Sequence, residues 1–150
     1  MNIHAKLQED LHQAMKDHDE LHKRVVRLLK STIELSEVTK GGELDAGEFV
    51  SVVQKEIKTR RDTIADAEKA NRQDLASEAE QEIRVLEGYL PAQLSEAELT
   101  ALAKQVIQET GATSVKQMGQ VLKILLPRLA GAATNQDASR VVRQCLENPD

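Results

Sequence analysis

Two histidines four residues apart, with acidic residues between them, form the stretch His18-Asp19-Glu20-Leu21-His22. In the metalloprotease pattern H-E-x-x-H, two histidines on one helical face hold zinc, and the glutamate after the first histidine is the general base. Here that position is Asp19, whose shorter carboxylate is less suited to reach a metal-bound water, and a third ligand is needed from elsewhere. In the other interpretation, which the acidic surroundings favour, Asp17 or Asp19 caps a new helix at a solvated junction.

The basic residues are clustered along the chain. The clusters are Lys23, Arg24, Arg27 and Lys30, then Lys55, Lys58, Arg60 and Arg61, and a looser set of Lys116, Lys123, Arg128, Arg140 and Arg143. Lys23, Arg27 and Lys30 fall on one helical face, as contacts to nucleic-acid phosphates would require. Without interleaved aromatic residues, base stacking is not expected, so any nucleic-acid contact would be to the phosphates or to shape. Solvated, ion-paired helix faces are the other interpretation of these residues.

Catalytic motifs are sparse. The sequence contains no G-x-x-x-x-G-K-[ST], G-x-G-x-x-G or G-x-S-x-G pattern, and all four histidines lie within its first 22 residues. Cys145 lies at helical spacing from Val141 and Val142, which is typical of a small buried residue. We therefore expect no catalytic residues, no metal ligands and no cofactor.

The composition favours packed amphipathic helices in a reducing compartment. Phe49 and Tyr89 are the aromatic residues of this 150-residue chain, and 30% of its residues are charged. No apolar run approaches the ~20 residues of a membrane span, and the start, MNIHAKLQEDL, lacks the apolar core of a signal peptide. A single cysteine agrees with the absence of disulfides. We therefore expect a cytoplasmic protein that does not bind membranes.

Apolar residues spaced by three or four positions predict four helices in the first 90 residues. The first covers residues 2–17, and the second runs to about Val38 and ends at Gly41-Gly42. A third begins at an Asp45 cap and ends near Ala70, and a fourth carries an apolar stripe up to Pro91. The third and fourth are expected to form a long hairpin.

The segment after Pro91 begins with a complete capping box, Ser95-Glu96-Ala97-Glu98. Three short helices follow: one up to Gly111, one from Ser114-x-x-Gln117 to Pro127, and one around Val141 and Cys145. The predicted fold is all-α, with a long-helix N-terminal domain over residues 1–91 and a three-helix tail domain over residues 92–150. Residues 1–90 hold 14 Lys or Arg and 19 Asp or Glu, whereas residues 91–150 hold six of each. The acidic charge therefore lies in the first domain.

Four phrases together resemble the GatB/YqeY family, free-standing relatives of the C-terminal part of the B subunit of the glutamine-dependent Asp/Glu-tRNA amidotransferase. They are RLLKSTIELSE, QKEIKTRRDTI, NRQDLASEAEQEIRVLEGYLPAQLSEAEL and MGQVLKILLPRLAG, and the match extends over nearly the whole chain. The resemblance implies an all-α protein whose tail-like module helps to hold tRNA, while the ATP and transamidation chemistry lies in other domains. A label of carbon–nitrogen ligase with glutamine as amido donor belongs to that family, but we expect no catalysis by this chain alone.

Individual residues follow or depart from the family pattern. Asp19 takes the acidic position between the first two helices, which favours the cap interpretation. The family run G-R-A-D-G is here Gly131-Ala132-Ala133-Thr134-Asn135, and Gln120 stands where a lysine usually follows Met-Gly. The run has therefore lost its arginine, aspartate and second glycine.

The sequence predicts a non-catalytic accessory protein, related to the amidotransferase, that binds tRNA through backbone phosphates. The candidate binding residues are Lys116, Lys123, Arg128, Arg140, Arg143, Arg27, Lys30, Lys55, Lys58 and Arg61. The alternative is a protein-interaction adaptor that docks a partner enzyme without binding RNA, motivated by Ala132 and by the negative net charge. The predicted partners are accordingly tRNA, an amidotransferase or another aminoacyl-tRNA-related protein.

Overall fold

A computed structural model describes residues 2–149, in which all regular structure is helical and no strand occurs. The predicted all-α class is confirmed. The seven α-helices of this part of the chain are α1 (Ile3–Lys16), α2 (Glu20–Lys40), α3 (Ala46–Lys69), α4 (Gln73–Glu87), α5 (Glu96–Thr110), α6 (Met118–Leu129) and α7 (Asn135–Glu147). A 3₁₀ turn, Val115–Gln117, precedes α6. The chain forms two compact units, one ending at Leu90 and the other beginning at Pro91. Its division into folding domains 1–91 and 92–150 stays a prediction.

Two predicted helix ends differ from the structure. Helix α4 ends at Glu87 instead of running to Pro91, because the amides of Gly88, Tyr89 and Leu90 bond carbonyls only three residues back, as in a tight turn. Helix α6 continues through Pro127, where an end was predicted, to Leu129. Pro127 is exposed, so water can satisfy the carbonyl that its missing N–H leaves free, while Leu125 and Leu129 stay buried in the core.

Aliphatic side chains build the core of the first unit. Leu7, Val26, Ile33, Val53 and Leu86, from helices α1 to α4, are all fully buried. Burial of each such side chain stabilises the fold by about 1.5–3 kcal/mol. The two aromatic rings, of Phe49 and Tyr89, meet edge to face with centroids 6.2 Å apart. The apolar stripes predicted from spacing therefore do meet in one core.

Arg60 is the one buried charged residue in the described part of the chain, with 7% of its surface exposed. Its Nη1 donates to Glu56 Oε2 at 2.8 Å, and its Nε donates to Glu82 Oε2 at 3.2 Å. The other carboxylate oxygen of Glu82 accepts from Arg24 at 3.2 Å, and Arg24 also donates to Glu78 at 2.8 Å. Glu82 of α4 thus joins an arginine of α2 to an arginine of α3.

The second unit packs three helices around a separate aliphatic core. Val106, Val121, Leu125, Val141 and Val142 are fully buried there. Helix α5 begins with the predicted capping box: the Glu98 amide donates to Ser95 Oγ, and the Ser95 amide donates to the Glu98 carboxylate. Because the box satisfies two amides at the start of the helix, it fixes where α5 begins.

Replacing Arg60 with alanine should destabilise the first unit by about 1–3 kcal/mol, because Glu56 and Glu82, which are themselves partly buried, lose a hydrogen-bond partner. Tyr89 is the single tyrosine and belongs to this unit, so its fluorescence during urea unfolding reports the change. The neighbouring Arg61 is exposed and forms no ion pair with any described residue, so Arg61→Ala should shift stability by no more than about 0.5 kcal/mol. Equal effects of the two substitutions would contradict the assigned roles.

Ala130 ends α6 in the left-handed region, with φ 46°. The side chain makes this conformation costly, so Ala130→Gly should stabilise the second unit by about 0.5–1 kcal/mol despite the greater freedom of unfolded glycine. Slower hydrogen exchange of the α6 amides would report the gain. Ala101, exposed in the middle of α5, is the matched control, since Ala101→Gly should destabilise this unit by about 1 kcal/mol. Destabilisation by both substitutions would count against strain at Ala130.

Candidate nucleic-acid interface

The His18–His22 stretch forms the junction between α1 and α2. Helix α1 ends at Lys16, and His18 takes a left-handed conformation with φ 54°, so the two histidines do not share one helix. Asp19 caps α2, because its Oδ1 accepts the His22 amide at 3.0 Å while its Oδ2 lies 3.0 Å from His22 Nδ1. The amide hydrogen bond from His22 lowers the pKa of Asp19, which keeps the cap charged. The helix-junction interpretation is therefore confirmed.

An open cleft of about 310 Å³ lies between α1, this junction and the end of α4. Asp10 is its central group: one carboxylate oxygen accepts from Lys6 Nζ at 2.9 Å and the other from the Tyr89 hydroxyl at 2.6 Å. Burial and the bond to Asp10 raise the pKa of Tyr89, so its hydroxyl remains a donor. Asp17 accepts from Gln13 at 3.0 Å. Asp10 thus ties α1 to the turn after α4, whereas Asp17 and Asp19 make only local contacts.

Lys55, Lys58 and Arg61 form a row on α3, which we call the α3 row. The three side chains are exposed, and none makes an ion pair with a described residue. Because the three residues are three positions apart, the row turns gradually around the helix. It extends about 9 Å along the helix axis. The row therefore places three exposed positive charges along one part of α3.

The predicted cations of α2 have more varied surroundings. Arg27 is exposed and has no ion pair within residues 2–149, whereas Lys30 is half-buried and donates to Gln8 Oε1 at 2.8 Å. Lys23, on the same face, lies 3.6 Å from the Glu20 carboxylate. This face is therefore less open to phosphate than the α3 row.

Two of the five cations predicted in the tail are held in ion pairs. Arg128 Nη2 lies 2.7 Å from Glu109 Oε2. Arg140 donates two hydrogen bonds, of 2.8 and 2.9 Å, to the two carboxylate oxygens of Glu96. The hydrogen bonds from these arginines lower the pKa of Glu109 and of Glu96. Arg128 and Arg140 thus tie helices of the second unit to each other, a use that local sequence spacing does not reveal.

Lys116, Lys123 and Arg143 are the tail cations without an ion pair among the residues that the structure describes. All three are exposed. Lys116 lies in the 3₁₀ turn, Lys123 lies on the outer side of α6, and Gly119 lies between them. A side chain at Gly119 would meet no atom within 4 Å, so packing within the chain does not require glycine there. A partner can approach the backbone closely at this position.

The altered run Gly131–Asn135 lies in the connection between α6 and α7 and ends at the first residue of α7. The Gly131 carbonyl accepts from Gln93 Nε2 at 2.9 Å, and the Ala132 carbonyl accepts the Leu94 amide at 2.8 Å. Thr134 caps α7, because its hydroxyl accepts the Asp137 amide at 3.0 Å. In this chain the run therefore holds the start of the second unit and begins its last helix.

Two arginines of the basic clusters, Arg24 and Arg60, are used inside the first unit. Arg60 could have been recognised in the sequence, because it falls on the apolar stripe of Val53, Ile57 and Ile64. Its partner Glu82 lies 22 residues away in sequence, and the spacing of charges along one helix does not predict such a pair. Of the four clustered cations on α3, three form the exposed α3 row. The fourth, Arg60, is buried and joins α3 to α4.

Other features of the described residues bear on what kind of site is present. No group of three or more His, Cys, Asp or Glu side chains within residues 2–149 is arranged to hold a metal ion. Cys145 is buried, and burial raises the pKa of its thiol, which makes it a weaker nucleophile at neutral pH. None of the described helices combines the length and apolarity needed to cross a membrane.

Comparison with known proteins gives relatives in three yeasts, each named Altered inheritance of mitochondria protein 41, mitochondrial. The protein of Lachancea thermotolerans is 37% identical over 109 residues, which cover 70% of this chain and 58% of that protein. Those of Vanderwaltozyma polyspora and Kluyveromyces lactis are 39% and 38% identical over 85 and 89 residues, covering 56% and 59% of this chain and 46% and 48% of theirs. The chain spans about half the length of the curated relatives that it matches.

The family model described as Yqey-like protein matches residues 4–146. This match extends over both compact units and includes all seven helices except the first residue of α1 and the final residue of α7. It confirms the resemblance seen in the sequence. The chain belongs to the YqeY-like family.

Proposed function

We propose that this protein is a non-catalytic accessory factor that binds tRNA through its backbone phosphates. The observation that carries the proposal is the α3 row, where Lys55, Lys58 and Arg61 are exposed and make no ion pair within residues 2–149, although residues 1–90 have an acid excess. Neighbouring arginines in the same unit are neutralised by carboxylates. Cations that an acidic unit leaves unneutralised can release counterions from a nucleic acid on binding.

The tail supplies a second set of contacts in this proposal. Lys116 and Lys123 are exposed on either side of Gly119, where the backbone is open to close approach. Arg128 and Arg140, which the sequence also suggested, contribute less because leaving Glu109 and Glu96 would cost their ion pairs. Arg143 is exposed and unpaired, so it joins the lysines as a candidate.

The accessory role rests on the family and on the lack of a nucleotide-binding or nucleophile motif in the sequence. We infer that any amide transfer takes place on a partner related to the glutamine-dependent aminoacyl-tRNA amidotransferase, and that this chain helps to present the tRNA. A carbon–nitrogen ligase activity would then belong to the assembly and not to this chain alone.

For the compartment, the similarity to mitochondrial yeast proteins supports mitochondria as a location beside the predicted cytoplasm. Protein synthesis uses tRNA in both places, so the proposed function holds for either. Fluorescent tagging of the full-length protein in its own cell distinguishes the two.

The variant Lys58→Glu/Arg61→Glu should weaken binding of labelled bulk tRNA by tenfold or more, on the order of 1.4 kcal/mol, because like charges then face the phosphates. Fluorescence anisotropy over a salt series measures this. For the wild-type protein, the logarithm of affinity should fall linearly with the logarithm of salt concentration. The slope should become shallower by about 0.7–0.9 for each phosphate contact that the variant loses.

The matched control is Lys16→Glu/Arg84→Glu, which changes the net charge of the same unit equally at exposed cations outside the α3 row. It should retain most of the affinity. Equal loss in both variants would mean that only net charge matters and would overturn the assignment to the α3 row. If wild-type protein binds no tRNA even at low salt, the RNA proposal fails and the protein-interaction adaptor predicted as the alternative becomes the favoured function.

A further inference from the structure

Helix α7 carries two neighbouring arginines whose surroundings differ. Arg140 and Arg143 are three residues apart, so they are adjacent on the helix surface. Both are exposed, and they lie away from the side that Val141 and Val142 bury in the core of the second unit. Arg143 makes no ion pair with any residue from 2 to 149, whereas Arg140 is held by carboxylates. Of two adjacent guanidinium groups, only one is therefore available to an outside anion.

The carboxylate that holds Arg140 comes from the first turn of α5. Glu96 accepts hydrogen bonds of 2.8 and 2.9 Å from the two terminal nitrogens of Arg140, one on each carboxylate oxygen. Asp137 Oδ1 lies 3.7 Å from Nη2 of the same guanidinium. The hydrogen bond from Arg140 lowers the pKa of Glu96, so this carboxylate stays charged at neutral pH. Two negative groups thus surround one positive group.

This arrangement occupies the part of Arg140 that binds a phosphate. Arginine presents the same planar fork of N–H groups to a carboxylate and to a phosphate, and it binds either one through two parallel hydrogen bonds. With Glu96 in place, the fork is filled. A phosphate that displaced Glu96 would also lie beside an unpaired carboxylate and be repelled by it. Glu96 therefore opposes phosphate binding both by competition and by repulsion.

The ion pair lies at the surface, where it can be exchanged. The side chains of Arg140 and Glu96 are 44% and 61% exposed. Ion pairs at such solvated positions contribute little to stability, because water screens them and two long side chains must be ordered. Leu99, Val106 and Val141 lie in one common buried core, so α5 and α7 stay packed without the pair. Removing the charge of Glu96 should therefore free Arg140 without unfolding the unit.

We propose that Glu96 is an autoinhibitory residue, which masks Arg140 and so limits the affinity of the second unit for RNA phosphates. This inference rests on the proposed tRNA binding and concerns its strength. Residues 91–150 hold six Lys or Arg and six Asp or Glu, so each neutralised cation is a large share of what this unit offers a polyanion. Unmasked, Arg140 joins Arg143 as a second phosphate contact on α7. The mask favours release of tRNA, which suits a factor that presents tRNA to a partner.

Binding of labelled bulk tRNA to the full chain, measured by fluorescence anisotropy, tests the mask. Glu96→Gln should raise the affinity by about threefold or more, because the carboxylate no longer competes for Arg140. The slope of the logarithm of affinity against the logarithm of salt concentration should become steeper by about 0.7–0.9, as one additional phosphate contact requires. Circular dichroism confirms that the variant folds.

Glu147→Gln is the matched control. It removes the same charge from an exposed glutamate of the same unit, one that makes no ion pair with a described residue. This variant should change the affinity by less than about twofold and leave the salt slope unchanged. An equal gain in affinity from Glu147→Gln and Glu96→Gln would overturn the proposal, because net charge alone would then explain both.

A double-mutant cycle shows whether the gain depends on Arg140. Arg140→Gln should weaken binding much less in the wild-type protein, where the guanidinium is masked, than in the Glu96→Gln variant, where it should abolish the gain. Equal effects of Arg140→Gln in the two backgrounds, or no gain from Glu96→Gln, would overturn the mask while wild-type tRNA binding stands. If neither the wild-type protein nor Glu96→Gln binds tRNA at low salt, the mask and the proposed function both fail.

Discussion

The carboxylate of Glu82, shared between Arg60 and Arg24, is the polar interaction that links three helices of the first unit. Burying a guanidinium is costly unless hydrogen-bond acceptors satisfy it, and Glu82 supplies one acceptor for Arg60 while joining three helices. The aliphatic core supplies most of the favourable free energy, but it sets helix positions less strictly than directional hydrogen bonds do. This carboxylate therefore helps to fix how α2, α3 and α4 pack together.

The same pairing decides which cations remain for function. Arg24 and Arg60 form ion pairs within the first unit, and Arg128 and Arg140 form ion pairs within the second. What remains is a smaller and better-defined set of exposed charges than the sequence suggests. A protein with a net charge of −5 can attract a polyanion only through such local sets, because its overall field is repulsive. The packing of the helices thus determines which basic residues form ion pairs within the fold and which stay exposed.

Local chemistry made much of the fold predictable. The caps at Asp45 and Ser95 are present where the residue types indicated them. The end of α4 was missed because Gly88 begins a turn before Pro91 does, and the continuation past Pro127 was missed because core burial outweighs the lost hydrogen bond.

The candidate site was less predictable than the fold, since it depends on contacts between helices. Clustering along the chain pointed to the α3 row correctly as exposed basic residues, but it gave Arg128 and Arg140 the same weight as Lys116 and Lys123. The carboxylate partners of Arg128 and Arg140 lie 19 and 44 residues away in sequence. No pattern within one helix reveals such pairs, so only the packed structure separates paired from available cations.

Lysine footprinting of the intact protein, with and without bulk tRNA, tests the central claim most directly. Amine-reactive labelling followed by mass spectrometry compares all exposed lysines in one experiment. The account predicts that tRNA protects Lys55, Lys58, Lys116 and Lys123, while exposed Lys16 keeps its reactivity. Uniform protection of every lysine, or protection of none, would contradict the claim that unpaired cations of the α3 row and the tail form the tRNA-binding surface.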